Sequence, residues 1–247
     1  MESPTIDRRE LAYYDRLAQQ WWDKSGKFWP LHRLNELRRE YLAQSICKHF
    51  GRDPQDAAPL TGLSVLDIGC GGGILAESMA ILGASVKGID VVEKSIEVAR
   101  RHSRLSRLPI DYEIVSVEEM VERGQDYDVL LNMEVVEHVA DLPRFMTCCN
   151  RLLARGGILF IATINRNPLS WLFAIVGAEY IRRWLPRGTH SWKKFVRPAE
   201  LSEMLACDGL TVSATTGVSV NPFTREFRLS NRSAVNYMLS AVHIADS

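Results

Sequence analysis

From residue 64 onward, short continuous apolar runs alternate with stretches whose apolar positions recur every three to four residues. Residues 64–68, 85–89, 110–115, 128–132 and 157–163 read as buried strands. Between them, 73–82 (closed by Gly83), 93–103 and 143–153 carry helical spacing, and 198–206 adds another helix. Strands apolar on both faces, alternating with helices, predict a parallel sheet covered on both sides. Residues 210–218 and 235–243 then close the sheet as an antiparallel pair. The expectation is a doubly wound, Rossmann-like, mostly parallel sheet of seven strands.

Two regions fall outside that rhythm. Residues 11–22 and 37–50 show helical spacing around an aromatic, turn-rich link with Gly26 and Pro30, and 51–62 carries Pro54 and Pro59. Residues 1–62 are therefore read as a helical cap and connector, and 63–247 as the main domain. The stretch 165–197, after the fifth strand, is long for a connection and is read as a functional insertion.

Composition narrows the class without naming a function. The 247 residues carry 46% hydrophobic and 24% charged side chains, ordinary for one globular α/β domain. Lys plus Arg equals Asp plus Glu at 30 each, which lacks the basic excess of a nucleic-acid coat. Five cysteines without a CxxC pair fit a reducing compartment rather than a disulfide framework or zinc site. The polar start lacks the pattern of a signal peptide, and no apolar run reaches the roughly 18 residues of a membrane span. A cytoplasmic location is expected.

The chemistry concentrates after the first strand. In Asp67-Ile68-Gly69-Cys70-Gly71-Gly72-Gly73, four of the last five positions are glycine. Ligands of such sheets bind at the carboxyl ends of the strands, where glycine lets them approach the backbone. A dinucleotide fingerprint, GxGxxG, would need a third glycine where Ile74 stands. Pyrophosphate favours an open helix N-terminus, whereas the carboxylate of Asp67 favours a cation. S-adenosylmethionine, with its ammonium and sulfonium, fits this loop; a ligand-free tight turn is the plainer alternative. Asp90, ending the second strand, is placed to accept ribose hydroxyls or to cap the next helix. Ser116, Val117 and Glu118 fall where the adenine edge would lie.

Several longer segments resemble the ubiquinone-biosynthesis O-methyltransferases. They are VLDIGCGGGILAESMA (65–80), MEVVEHV (133–139), INRNPLSWL (164–172), VGAEYI (176–181) and PRGTH (186–190), with WWD (21–23), PLHRLNELR (30–38) and VNYML (235–239). The resemblance covers nearly the whole chain from about Tyr13. It implies O-methylation of catechol hydroxyls on polyprenylated rings, the acceptors being 3-demethylubiquinol and 2-polyprenyl-6-hydroxyphenol. It also implies that Arg38, Gly69, Asp90 and Met133 contact the cofactor, alongside Asp67 and Gly71 of the loop. By residue chemistry alone, Arg38 reads as a solvated helix face and Met133 as core.

Methyl transfer to a phenol with a pKa of about 10 calls for a base or a metal. Glu134, Glu137 and His138 follow the fourth strand. On a helix their spacing would share one face, where two carboxylates and an imidazole could hold Mg²⁺ for a catechol to chelate. Related family members are thought to use these positions for a metal. The alternatives are His138 as a metal-free general base, or solvated acids beside a packed histidine. In the insertion, Trp171 and Phe173 lie in an apolar run followed by Arg182, Arg183, Arg187, Lys193 and Lys194. That pattern predicts peripheral contact with anionic lipid on the inner face of the cytoplasmic membrane, the alternative being a lid. Other ubiquinone-biosynthesis enzymes are further expected partners. A methyltransferase for another small acceptor, or a non-catalytic scaffold, remain as rival readings.

Overall fold

The computed structural model describes residues 5–170, 192–221 and 224–244. Ahead of the sheet lie α1 (Arg8–Leu17), a 3-10 turn (Ala18–Gln20) and α2 (Trp29–His49). The alternating core follows as β1 (Ser64–Ile68), α3 (Ile74–Ile81), β2 (Ser85–Asp90), α4 (Glu93–Leu105), β3 (Asp111–Ile114), α5 (Val117–Glu122), β4 (Tyr127–Met133), α6 (Leu142–Arg151) and β5 (Leu153–Ile164). After a single turn, α7 (Pro168–Ser170), come α8 (Pro198–Cys207), β6 (Leu210–Val220), β7 (Phe227–Ser230) and β8 (Asn236–His243).

Among the described residues the strands form one sheet in the order β3-β2-β1-β4-β5-β8-β6-β7. The first five in that order pair in parallel, and β8, β6 and β7 extend the sheet antiparallel. The sheet carries one strand more than the seven the periodicity predicts. β7 is a four-residue edge strand, Phe-Arg-Leu-Ser, too short for its alternation to stand out.

Alternation sorts the buried strands between two layers. Val65, Val129, Leu131, Ile158 and Phe160 pack with Leu42, Ile46 and Cys47 of α2 and with α3. Leu66, Leu130, Leu159 and Ile161 face Phe145 and Met146 of α6 and Leu201 and Leu205 of α8. α2 thus starts earlier than its spacing predicts and belongs to the core. Pro30 occupies its first turn, where a missing N–H costs nothing, so the proline begins the helix instead of breaking it.

α5 was hidden because its apolar face is only Val117 and Met120. It is held by a capping box in which Ser116 and Glu119 satisfy each other's backbone N–H. No helix among the described residues is long and apolar enough to cross a membrane. The segment expected to meet lipid, with Trp171 and Phe173, lies outside the described residues.

Candidate active site

A cavity of about 530 Å³ opens over the carboxyl ends of β1, β2 and β4, reaches β5 and β8, and is roofed by the N-terminal helices. Its wall includes Arg38, Asp67, Gly69, Asp90, Met133, Glu134, Glu137 and His138, so the structure brings these sequence-predicted residues to one place. Ser116 and Val117 also line it, whereas both carboxylate oxygens of Glu118 are buried without a hydrogen-bond partner.

The glycine loop is shaped by what lies on it. Gly69 and Gly71 have φ of 69° and 53°, a region that side chains rarely adopt. A Cβ on Gly69 would lie 2.6 Å from Val135 Cγ2, and one on Gly71 would run into the Trp21 indole. Trp21 is stacked on Phe28 at 4.0 Å, and its N–H donates to Ser95 Oγ at 3.0 Å. The Trp22 N–H donates to the Gly72 carbonyl at 2.9 Å. The WWD segment therefore clamps the loop from outside.

Two acids flank the loop. Asp90 accepts the N–H of Gly71 and of Val92, each at 2.8 Å. It ties the loop to β2 and does not cap α4, whose N-cap is Val92. Each of its oxygens keeps a lone pair for a further donor. Asp67 is 3% exposed, and burial, helped by the charge of Asp90, pushes its pKa up to about 7. The Ala76 N–H hydrogen-bonds this carboxyl, while Oδ2 has no partner. A buried carboxylate oxygen without a partner beside the glycine loop can accept a further donor.

Segment 134–138 departs from expectation. It is a turn, closed by the His138 N–H donating to Val135 O at 2.8 Å, so the shared helical face does not form. Glu134, at φ 60°, ion-pairs with Arg38, whose Nε remains without a partner. Glu137 is 3% exposed; it accepts from Thr163 Oγ1 at 2.7 Å, and its other oxygen is unpartnered. Burial, then the charge of Glu134, raises its pKa. His138 lies between Glu10 Oε2 at its Nδ1 and the Tyr14 hydroxyl at its Nε2, both at 3.1 Å. Thus the three residues face different partners: Glu134 meets Arg38, Glu137 meets Thr163, and His138 meets Glu10 and Tyr14. Among the described residues no group of three His, Cys, Asp or Glu side chains is arranged to hold a metal ion.

The His138 surroundings fix its tautomer. A carboxylate only accepts, so Nδ1 carries the proton and the lone pair of Nε2 accepts the Tyr14 O–H. Burial and nearby carboxylates keep Tyr14 protonated. Burial alone would lower the His138 pKa, but the Glu10 hydrogen bond and the charge of Glu137 raise it overall. Lys194 completes the cluster, donating to Asp7 at 2.7 Å and to Glu10 at 3.4 Å. Sequence reasoning missed Glu10 and Tyr14, knew Trp21 only within the WWD segment, and set Lys194 among the basic residues expected at the lipid surface, whereas it pairs with Asp7 and Glu10. The only signal was the Tyr14, Leu17, Trp21 spacing, which marks an inward helix face without saying what it meets.

Thr163 supplies the only hydrogen bond drawn to the Glu137 carboxylate from a side chain among the described residues. Thr163→Val is expected to lower stability by roughly 1–3 kcal/mol, because a buried acceptor loses its donor. Urea unfolding monitored by circular dichroism measures it.

A sheet of this order, with a glycine loop and an acid at its first strand, defines an S-adenosylmethionine-dependent methyltransferase. A family model described as a methyltransferase domain matches residues 31–215. Among solved structures, the fold is similar to magnesium protoporphyrin IX methyltransferase from Synechocystis PCC 6803 with bound SAH, at TM-score 0.65 and 18% identity, covering 94% of this chain and 95% of that one. It is similar also to the plantazolicin methyltransferase in complex with a triazolic desmethylPZN analogue and SAH, at TM-score 0.65 and 16% identity over 96% and 98%. Curated relatives are nearer in sequence. Proteins named ubiquinone biosynthesis O-methyltransferase from Rhizobium etli and Methylobacterium nodulans are 50% and 49% identical, each over 96% of both chains. The chain belongs to the ubiquinone biosynthesis O-methyltransferases, and is an enzyme of the S-adenosylmethionine-dependent O-methyltransferase type.

Proposed function

We propose that the enzyme methylates a catechol hydroxyl of polyprenylated ring intermediates at the two O-methylations of ubiquinone assembly, with His138 as the base. The observation that carries this reading is one cavity holding a buried, half-satisfied Asp67 beside the glycine loop and an oriented imidazole beyond it. Asp67 would hold the ammonium of S-adenosylmethionine, Arg38 its carboxylate and Asp90 its ribose hydroxyls, with Met133 against the nucleoside. When bound, that cofactor supplies a methyl group on a positively charged sulfur, which the acceptor oxygen displaces to leave a neutral thioether. The acceptor hydroxyl displaces the Tyr14 O–H from His138 Nε2, which then takes the phenolic proton, and the Glu10 carboxylate stabilises the imidazolium that results. Within residues 1–62, α1 and the aromatic link serve as a cap over domain 63–247, while α2 packs into the core of that domain.

The side chains as placed do not converge into a site for Mg²⁺, so no step is routed through a metal. The deciding assay incubates protein, S-adenosylmethionine and a short-chain prenyl catechol, with and without chelator, and follows ring methylation by mass spectrometry. One added methyl on oxygen, at an unchanged rate after chelation, is the expected result. Loss of turnover on chelation, restored by Mg²⁺, would replace the base by a metal-bound catecholate.

Asp67 gives a pH prediction. It is mostly protonated below about 7 and ionised above. An ammonium binds the ionised form, so affinity should tighten as pH rises, by up to about tenfold per unit below 7, and then level off. Calorimetric Kd between about pH 5.5 and 7.5 reads this slope, and Asp67→Asn should flatten it.

The same reading places the enzyme in the cytoplasm at the inner membrane face, near other enzymes of the pathway. Its support is the bilayer-bound nature of a polyprenyl tail and the aromatic and basic sequence of 171–191. Flotation with anionic liposomes should be lost in a Trp171→Glu, Phe173→Glu double variant.

A further inference from the structure

The sheet order divides the cavity. Residues proposed above for the cofactor lie over β2, β1 and β4, whereas Ile164, Val220, Phe227 and Val235 line it over β5 and the antiparallel strands. A volume of about 530 Å³ lies within the roughly 300–1,000 Å³ that encloses one drug-sized ligand. A nucleoside and a phenolic ring use that space, so a long apolar tail must leave it.

The apolar surface continues in one direction. Leu34, Ala162, Val218 and Met238 form a separate buried cluster, with Met133 packed on one side and Leu31 and Phe227 on others. This cluster runs from the cofactor wall to the edge strand. Within the β6–β7 hairpin, Val220 is registered opposite Phe227 and Val218 opposite Leu229, which places four apolar side chains on one face. Val220 and Leu229 remain 36% and 43% exposed. The charge of this edge strand, Arg228, pairs opposite Ser219 on the other face, so one face is charged and the other is an exposed apolar patch of the kind that receives an apolar occupant. At the rim, Arg225 lies over the Trp29 ring at 5.0 Å, an aromatic–cation pairing suited to a membrane interface.

We propose that the acceptor's polyprenyl tail leaves the cavity between the start of α2 and the β6–β7 hairpin, along Leu31, Leu34, Phe227 and Val220. This rests on the reading of the acceptor given above. β7 is then a specificity element: the ring is methylated at one end of the cavity while the tail runs out over the edge strand.

The test compares acceptors that differ only in tail length. Leu229→Glu alters a half-exposed position that does not line the cavity, and circular dichroism checks that the variant is folded. In one detergent, kcat/KM for a catechol with several isoprene units should fall at least about tenfold, with little change for a one-unit acceptor. A long-to-short ratio equal to that of the unaltered enzyme overturns the route, whether both rates persist or both fall. The unaltered enzyme's rate on the one-unit acceptor reports separately on the catechol reading. Independently of turnover, a prenyl phenol with a photoreactive group at its tail end should crosslink to peptides of the α2 start or the β6–β7 hairpin. Crosslinks confined elsewhere overturn the route even if no methylation is seen.

Discussion

His138→Ala is expected to lower kcat by roughly 10²–10⁴-fold while leaving affinity for S-adenosylmethionine within a factor of about three. Among the described residues the imidazole hydrogen-bonds Glu10 and Tyr14, neither of which is placed against the nucleoside, which is why the two effects separate. Mass-spectrometric turnover and calorimetric Kd on the same preparation read both. The pH profile adds a control. Glu10→Gln removes the acceptor that favours the charged ring, so the His138 pKa falls and the acid limb of kcat moves to lower pH. A drop in kcat matched by an equal loss of cofactor affinity would assign His138 to the fold of the loop and not to the proton.

The largest stability effect is expected at Phe160. This side chain is fully buried at the centre of β5, which pairs with β4 on one side and β8 on the other. Its ring meets Tyr41 of α2 edge-on at 6.5 Å between centroids, amid Leu42, Ile46 and Val129. The surrounding strands are held on both sides and cannot close a void, so Phe160→Ala should cost about 3–5 kcal/mol. Chemical denaturation gives this directly, as a lower midpoint with little change in slope. A loss below about 1 kcal/mol would mean that α2 relaxes into the space and is only loosely attached.

Most of the fold could be read from the chain because the strands are buried on both faces. Segments such as 64–68 and 128–132 carry adjacent apolar residues, Val65-Leu66 and Val129-Leu130-Leu131, and the glycine loop punctuates the first crossover unmistakably. What escaped was local or long-range. Pro30 looked like a breaker although it opens a helix, and α5 depends on a two-residue capping box more than on periodicity. β7 was too short to register. At the site, Asp67, Gly69, Gly71 and Asp90 could be placed because strand ends place them, whereas Met133 read as core and came in only with the family resemblance. The partners of His138 could not: Glu10 and Tyr14 lie 128 and 124 residues away, and only the packing of α1 across the cavity joins them. The Arg38–Glu134 pair, 96 residues apart, was equally invisible. The turn at 134–138 was misread because EVVEH has helical spacing, while its backbone is reversed by Glu134 at positive φ.

The strand order also sets an order of assembly. β8 is the last strand in the chain, yet it lies between β5 and β6, with seven residue pairs to one and eight to the other. During synthesis from the N-terminus, the five parallel strands and their glycine loop can close first. The β6–β7 hairpin has no place on the sheet until β8 arrives to join it. A growing chain therefore completes the half that carries the glycine loop first, and the half proposed above to seat the acceptor takes form only once β8 has joined β5 to β6.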